Sequence, residues 1–219
     1  MRRFLGKAVV CLTVIASSGA VATVAAPAAS AAVNCPPDIV NTTVNDSVVV
    51  PAGATCVIFN STVAGNVVVG ARASITLVGA TVRGNFVSNG AQDIRIGDCG
   101  EFGCAVPRPT VISGNVSITG TTGVPSFPTR NVICDVTFAG GNVVLRNNSA
   151  PFAIGTDSQC NFGSGARFRG SLALYDNTAP ITLRDVQTSG FLQCSGNAPA
   201  PVNGGGNTAL AKFGQCAGF

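Results

Sequence analysis

PPDIVNTTVNDSVVVPAGA (residues 36–54) is followed by TCVIFNSTVAGNVVVGARA (55–73) and SITLVGATVRGNFVSNGAQ (74–92). The first two segments agree at nine of nineteen positions, and the third keeps their apolar columns. Ile39, Ile58, Leu77 and Ile96 form one column. Val44, Val63 and Val82 form a second, and Val49, Val68 and Val87 a third. A short fixed period marks stacked units, each too small to bury its apolar face alone. The apolar runs are short and β-branched, and Gly, Asn or Pro-Ala-Gly turns separate them, so they read as strands. No window carries a helical period. Identical columns one coil apart stack in register as parallel strands about 4.8 Å apart. The expected fold is therefore all-β: a single-domain parallel β-helix, or β-solenoid.

Past residue 92 the period loosens while its elements persist. Gly65-Asn66, Gly84-Asn85, Gly114-Asn115 and Gly141-Asn142 each precede a β-prone triplet, and Gly170-Ser171 and Gly190-Phe191 look like later versions. A second corner recurs at Asn148-Ser-Ala-Pro151, Asn177-Thr-Ala-Pro180 and Asn197-Ala-Pro199. Intervals near thirty residues fit one coil carrying a loop; the candidate loops are Gly97–Arg108, Thr119–Arg130 and Gly155–Arg167. The count is roughly seven coils of about 19–20 residues, a stack about 30–35 Å long. No linker interrupts it, so residues 33–219 form one solenoid domain.

The chain before residue 33 reads differently. Arg2, Arg3 and Lys7 precede an uncharged Ala- and Val-rich stretch that ends in Ala29-Ser30-Ala31. That order of basic, apolar and small residues predicts a signal peptide over residues 1–32, with cleavage after Ala31 or Ala32. The residues after the Arg pair fit a twin-arginine motif poorly, which favours the general secretory route. No second apolar span follows, so no membrane span is expected once the signal is removed. The charge total shrinks accordingly. The full chain carries a formal +4, yet from Val33 onward ten basic residues face nine acidic ones. Eleven Arg against two Lys, with abundant Ala, Val and Gly, suggests a GC-rich bacterial source.

Cysteine usage agrees with export. Setting aside Cys11 leaves Cys35, Cys56, Cys99, Cys104, Cys134, Cys160, Cys194 and Cys216, an even set that reads as four disulfides. Eight cysteines allow 105 connectivities. Sequence alone does not choose among them, but stacking favours pairing in chain order: Cys35 to Cys56, Cys134 to Cys160 and Cys194 to Cys216 each span close to one coil, and Cys99 to Cys104 would close its own small loop. Staples at both ends suit a solenoid, whose terminal coils expose open edges.

Little in the sequence points to catalysis. There is no His, no CxxC pair, no Gly-x-Ser-x-Gly elbow and no Asp-x-Asp cluster, so no metal, cofactor or catalytic residue is assigned. Asp93 with Arg95, and Asp176 near Arg184 and Asp185, could share a face, but surface ion pairing accounts for them as well. A mature charge near neutrality provides no basic stripe for nucleic acid. Thr43, Thr62 and Thr81 form a row that could face outward and bind ice or carbohydrate, although Thr also simply favours strands. The Asn residues at Gly-Asn corners are expected to be structural: Asn tolerates left-handed backbone, and stacked Asn side chains can bond along a turn. Phe86, Phe138, Phe168 and Phe191 are expected in the core, with Phe102 and Phe127 as loop anchors.

Thr-Val-x-Gly-Asn-Val/Phe-x-Val coils, Asn-x-Ala-Pro corners and a Gly206-Asn207-Thr208…Gly214-Gln215-Cys216 ending together carry a resemblance. Over about Thr42 to Cys216 the chain resembles secreted actinobacterial repeat proteins of parallel β-helix character, departing from them at the Cys99–Cys104 and Thr121–Arg130 loops. The resemblance implies an envelope or extracellular location and no established activity. The functional expectation is an exported, non-enzymatic structural or surface-binding protein of the cell envelope or extracellular space. Envelope glycans or other surface proteins are the expected partners. Two alternatives stay open. One is a polysaccharide lyase or hydrolase, suggested by architectural likeness to pectate-lyase-like proteins. The other is an ice- or carbohydrate-binding protein using the Thr face.

Overall fold

Alternating short runs place every second side chain inside, and the computed structural model shows where they meet. It describes residues 32–97, 109–123, 131–138, 140–155 and 165–219. Among these there is no helix, and the strands form three all-parallel sheets in which each strand pairs with those three elements away in the chain, except that the last, Ala211–Gly214, pairs with Phe191–Ser195 two elements before it. Sheet A has nine strands, from Val33–Asn34 to Ala211–Gly214; sheet B has eight, from Ile39–Val40 to Val202–Asn203. Sheet C has seven, from Thr43–Val44 to Val186–Thr188. The fold is a β-solenoid, and seven coils contribute to all three walls.

One coil shows the logic. Ser74–Val78 lies in sheet B, Thr81–Val82 in sheet C and Phe86–Asn89 in sheet A. Ile75, Leu77, Val82 and Phe86 point inward and are fully buried, each stabilising the stack by roughly 1.5–3 kcal/mol. Register carries the same positions through the stack: Ile58 lies beside Leu77, Leu77 beside Ile96, and Ile96 beside Ile133. The third valine column behaves differently. Val48, Val50, Val67 and Val69 are the inward residues, whereas Val68 and Val87 stand on the outer face of sheet A, each 39% exposed. Phe86, Phe138 and Phe168 lie in the core, the last two stacked with centroids 4.7 Å apart. Phe191 does not: its alternation puts Leu192 inside, leaving Phe191 45% exposed and edge-on to Phe213 at 5.5 Å.

The corners explain the recurring Gly-Asn pairs. At the turn from sheet C to sheet A, an ideal Cβ on Gly84, Gly114 or Gly141 would lie 2.5 Å from the carbonyl oxygen of the equivalent Gly one coil below. Side chains are excluded there by backbone. We expect Gly114→Ala to lower the unfolding free energy by about 2–3 kcal/mol in urea titration, because backbone must shift. Gly218→Ala, where the added carbon meets nothing within 4 Å, should change it little.

Asn66, Asn85, Asn115 and Asn142 are not in the left-handed region, so that expectation is corrected; Asn41, Asn60 and Asn147 at the other corners are the left-handed ones. The corner Asn residues serve the next coil. Asn66 Oδ1 accepts from the Asn85 backbone N–H (2.8 Å), Asn85 Oδ1 from Asn115 (2.8 Å), Asn115 Oδ1 from Asn142 (3.0 Å) and Asn142 Oδ1 from Ser171 (2.9 Å). The ladder keeps its register although the sequence separations along it are 19, 30, 27 and 29.

The Asn-x-Ala-Pro corners build a second ladder, buried and reversed. Thr121 N–H donates to Asn148 Oδ1 (2.8 Å), Asn148 Nδ2 to Asn177 Oδ1 (2.8 Å), and Asn177 Nδ2 to Asn197 Oδ1 (2.7 Å). Asn197 Nδ2 donates to Gln215 Oε1 (2.9 Å), so the Gly-Gln-Cys ending closes the ladder. Next to it, Cys216 is bonded to Cys194, and Cys35 is bonded to Cys56 at the other end. Cys134 is also disulfide-bonded. The Cys99–Cys104 pairing, Cys160, Phe102, Phe127 and the signal segment lie outside the described residues.

Of the three expected loops, residues 98–108, 124–130 and 156–164 lie outside the described residues. At their edges, Thr119 ends the strand Val116–Thr119 and Gly155 ends Phe152–Gly155, so neither belongs to a loop. Arg167 likewise belongs to the strand Ala166–Phe168 and not to a loop.

Candidate functional site

Sheet C presents the outward row singled out by Thr43, Thr62 and Thr81. Register sets those three side by side, with Thr43 exposed and the other two half-buried over inward Val63 and Val82. The row then changes chemistry. Val111 lies beside Thr81, and Thr137, Arg167 and Gln187 follow in order. Thr208 extends it through a bridge to Gln187. Each step is one strand spacing, about 4.8 Å. No carboxylate stands in this row.

A second outward column runs beside the first, just past each strand. Arg83, Ser113, Arg169 and Ser189 occupy it, and each donates its backbone N–H to the coil below, at Val63, Val82, Phe138 and Phe168. All four are exposed. Two columns thus meet at the C-terminal end of the face in an open hollow of about 410 Å³ lined by Arg167, Arg169, Thr137, Gln187, Ser189 and Thr208 among others. The floor is rigid: Phe168 is buried on Phe138, and Thr188 Oγ1 donates to Gly170 O at 2.6 Å.

The acidic residues considered as alternatives fall elsewhere. Asp93 and Arg95 do share the outer face of sheet B, as an ion pair of 3.0 Å. Burial pushes the Asp93 carboxyl above its ordinary value, while the charge and hydrogen bond of Arg95 pull the other way. Asp176 pairs with Arg146 at 3.4 Å, both exposed, and not with Arg184, whose Nε donates to Gly204 O. Among the described residues no three His, Cys, Asp or Glu side chains gather. None of their helices, there being none, is long and apolar enough to cross a membrane.

Arg167, Arg169, Thr137 and Gln187 escaped the repeat alignment because the nineteen-residue spacing is lost between them and the first three coils. A local signal was present. Thr81-Val82-Arg83-Gly84 and Arg167-Phe168-Arg169-Gly170 are the same corner, and counting back three residues from Gly gives the outward row in both. No family model, curated protein or solved structure matches this chain.

Proposed function

We propose that this chain is an exported, disulfide-stapled scaffold of the cell envelope or extracellular space whose sheet C face binds carbohydrate without catalysis. The observation that carries this reading is the outward row from Thr43 to Thr208, in which hydroxyl, amide and guanidinium groups stand at one-coil intervals on a rigid wall. Polar groups held in fixed array suit a hydroxyl-rich polymer, since little side-chain entropy remains to be lost on binding. The signal-like residues 1–32, the disulfides and the likeness to secreted actinobacterial repeat proteins support an oxidising, extracellular address. Ice binding is the weaker reading, because only three threonines stand in register before Val111 interrupts them.

Expression of the full chain in an actinobacterial host tests this. Secreted protein should begin near Val33, lack free thiols under denaturing conditions and co-sediment with purified cell-wall glycan while releasing no reducing or unsaturated ends. Glycan turnover that disappears in an Asp93→Asn variant would establish the enzymatic alternative instead.

A further inference from the structure

Resting on that reading, we infer that the hollow around Arg167 and Arg169 is a subsite for the acidic groups of an anionic polysaccharide, held as ligand. Both guanidiniums are exposed, and neither has a hydrogen-bond or ion-pair partner among the described residues. Arg167 lies in the strand Ala166–Phe168 and Arg169 just past it, flanking the inward Phe168, and both line the same hollow. The residues around them, Thr137, Gln187, Ser189 and Thr208, offer neutral donors and acceptors, and among the described residues no carboxylate lines the hollow to neutralise the pair. A planar guanidinium receives a carboxylate through two parallel N–H bonds, which a hydroxyl cannot match.

The shape narrows the partner class. Nucleic acid would want exposed aromatic faces for bases, but the aromatic ring here, Phe168, is only 2% exposed. An extended peptide would add to a sheet edge, whereas this hollow lies on the face of sheet C, where Ala166–Phe168 is paired on both sides and the last strand, Val186–Thr188, is bonded to Thr208. A membrane surface would want an apolar rim, and the lining is hydroxyl, amide and guanidinium. A chain of sugar acids offers both required features: hydroxyls for the Thr, Ser and Gln groups, and a repeating anion for the arginines.

Binding of the secreted protein to immobilised alginate, neutral dextran and polyphosphate tests the inference, alongside Arg167→Gln, Arg169→Gln and the double variant. Alginate should bind best, with a salt-dependent affinity that falls about tenfold in each single variant and more in the double. Both side chains are exposed, so the variants should keep the parent melting temperature. Arg167→Lys should recover only part of the loss, as a point charge replaces the fork. Equal binding of alginate and dextran, unaffected by either substitution, would overturn the acidic subsite while leaving carbohydrate binding on sheet C standing. Tighter binding to polyphosphate than to alginate would also overturn it. Failure to bind alginate, dextran or cell-wall glycan would remove the underlying reading itself.

Discussion

Removing both described disulfides, as Cys35→Ala/Cys56→Ala together with Cys194→Ala/Cys216→Ala, should cost about 3 kcal/mol per bridge and fray the molecule from its ends. Each bridge closes a loop of about one coil, with sequence separations of 21 and 22, so each constrains the unfolded chain to a similar extent. Their positions decide the pattern of damage. A solenoid coil is held by its two neighbours, and a terminal coil has only one. Cys35 ties the first partial turn to the coil above it, and Cys216 ties the last turn to Cys194 in sheet A. Hydrogen exchange should therefore accelerate first near Val48–Val50 and Ala211–Gly214, before the central Val116–Thr119 strand responds. Uniform acceleration along the whole stack would show that the bridges do not act as terminal staples.

Asn177→Ala should be the most damaging single side-chain truncation in the ladders, lowering the unfolding free energy by about 3 kcal/mol or more in urea titration. Asn177 is fully buried and uses its amide in both directions. Its Oδ1 accepts from the backbone N–H and the Nδ2 of Asn148, and its Nδ2 donates to Asn197 Oδ1 and to Leu145 O. Truncation strands several of these groups away from water at once, and unmade buried bonds cost more than made ones contribute. Asn66→Ala is the comparison. That residue is half-buried, and its Oδ1 serves Asn85 where solvent can partly substitute, so about 1 kcal/mol is expected. Equal losses at the two positions would contradict the burial argument.

Much of the architecture is legible in three lines of sequence, because a nineteen-residue spacing, β-branched runs and Gly-Asn turns all demand the same stacked coil. That spacing favours chain-order pairing, and Cys35 is bonded to Cys56 and Cys194 to Cys216, each about one coil apart. What stays hidden depends on register. Phe191 reads as core from composition, yet the residue after Gly190 falls on the outward phase of its strand. The corner Asn residues invite a backbone explanation, whereas their side chains act on the coil above. Arg167 is obscured for the same reason: the irregular repeat spacing before it conceals which face its strand presents, and one residue of slip exchanges inside for outside. The outer surface is therefore the hardest part to read, since no core packing constrains which polar residue stands there.

The Gly-Asn corner ladder has one consequence for how such a molecule grows. Residues 74–92 contain no cysteine, and the preceding and following coils meet them through interchangeable contacts: Gly on Gly, Asn on Asn, Ile or Leu on Ile or Leu. A duplicated copy would find the same neighbours above and below, lengthening the wall by one strand spacing of about 4.8 Å without repacking anything else. It would also add one Thr and one Arg to the outward columns. Reach along a polymer is thus a heritable dimension of this protein, adjustable in whole coils by tandem duplication while the stapled ends stay unchanged.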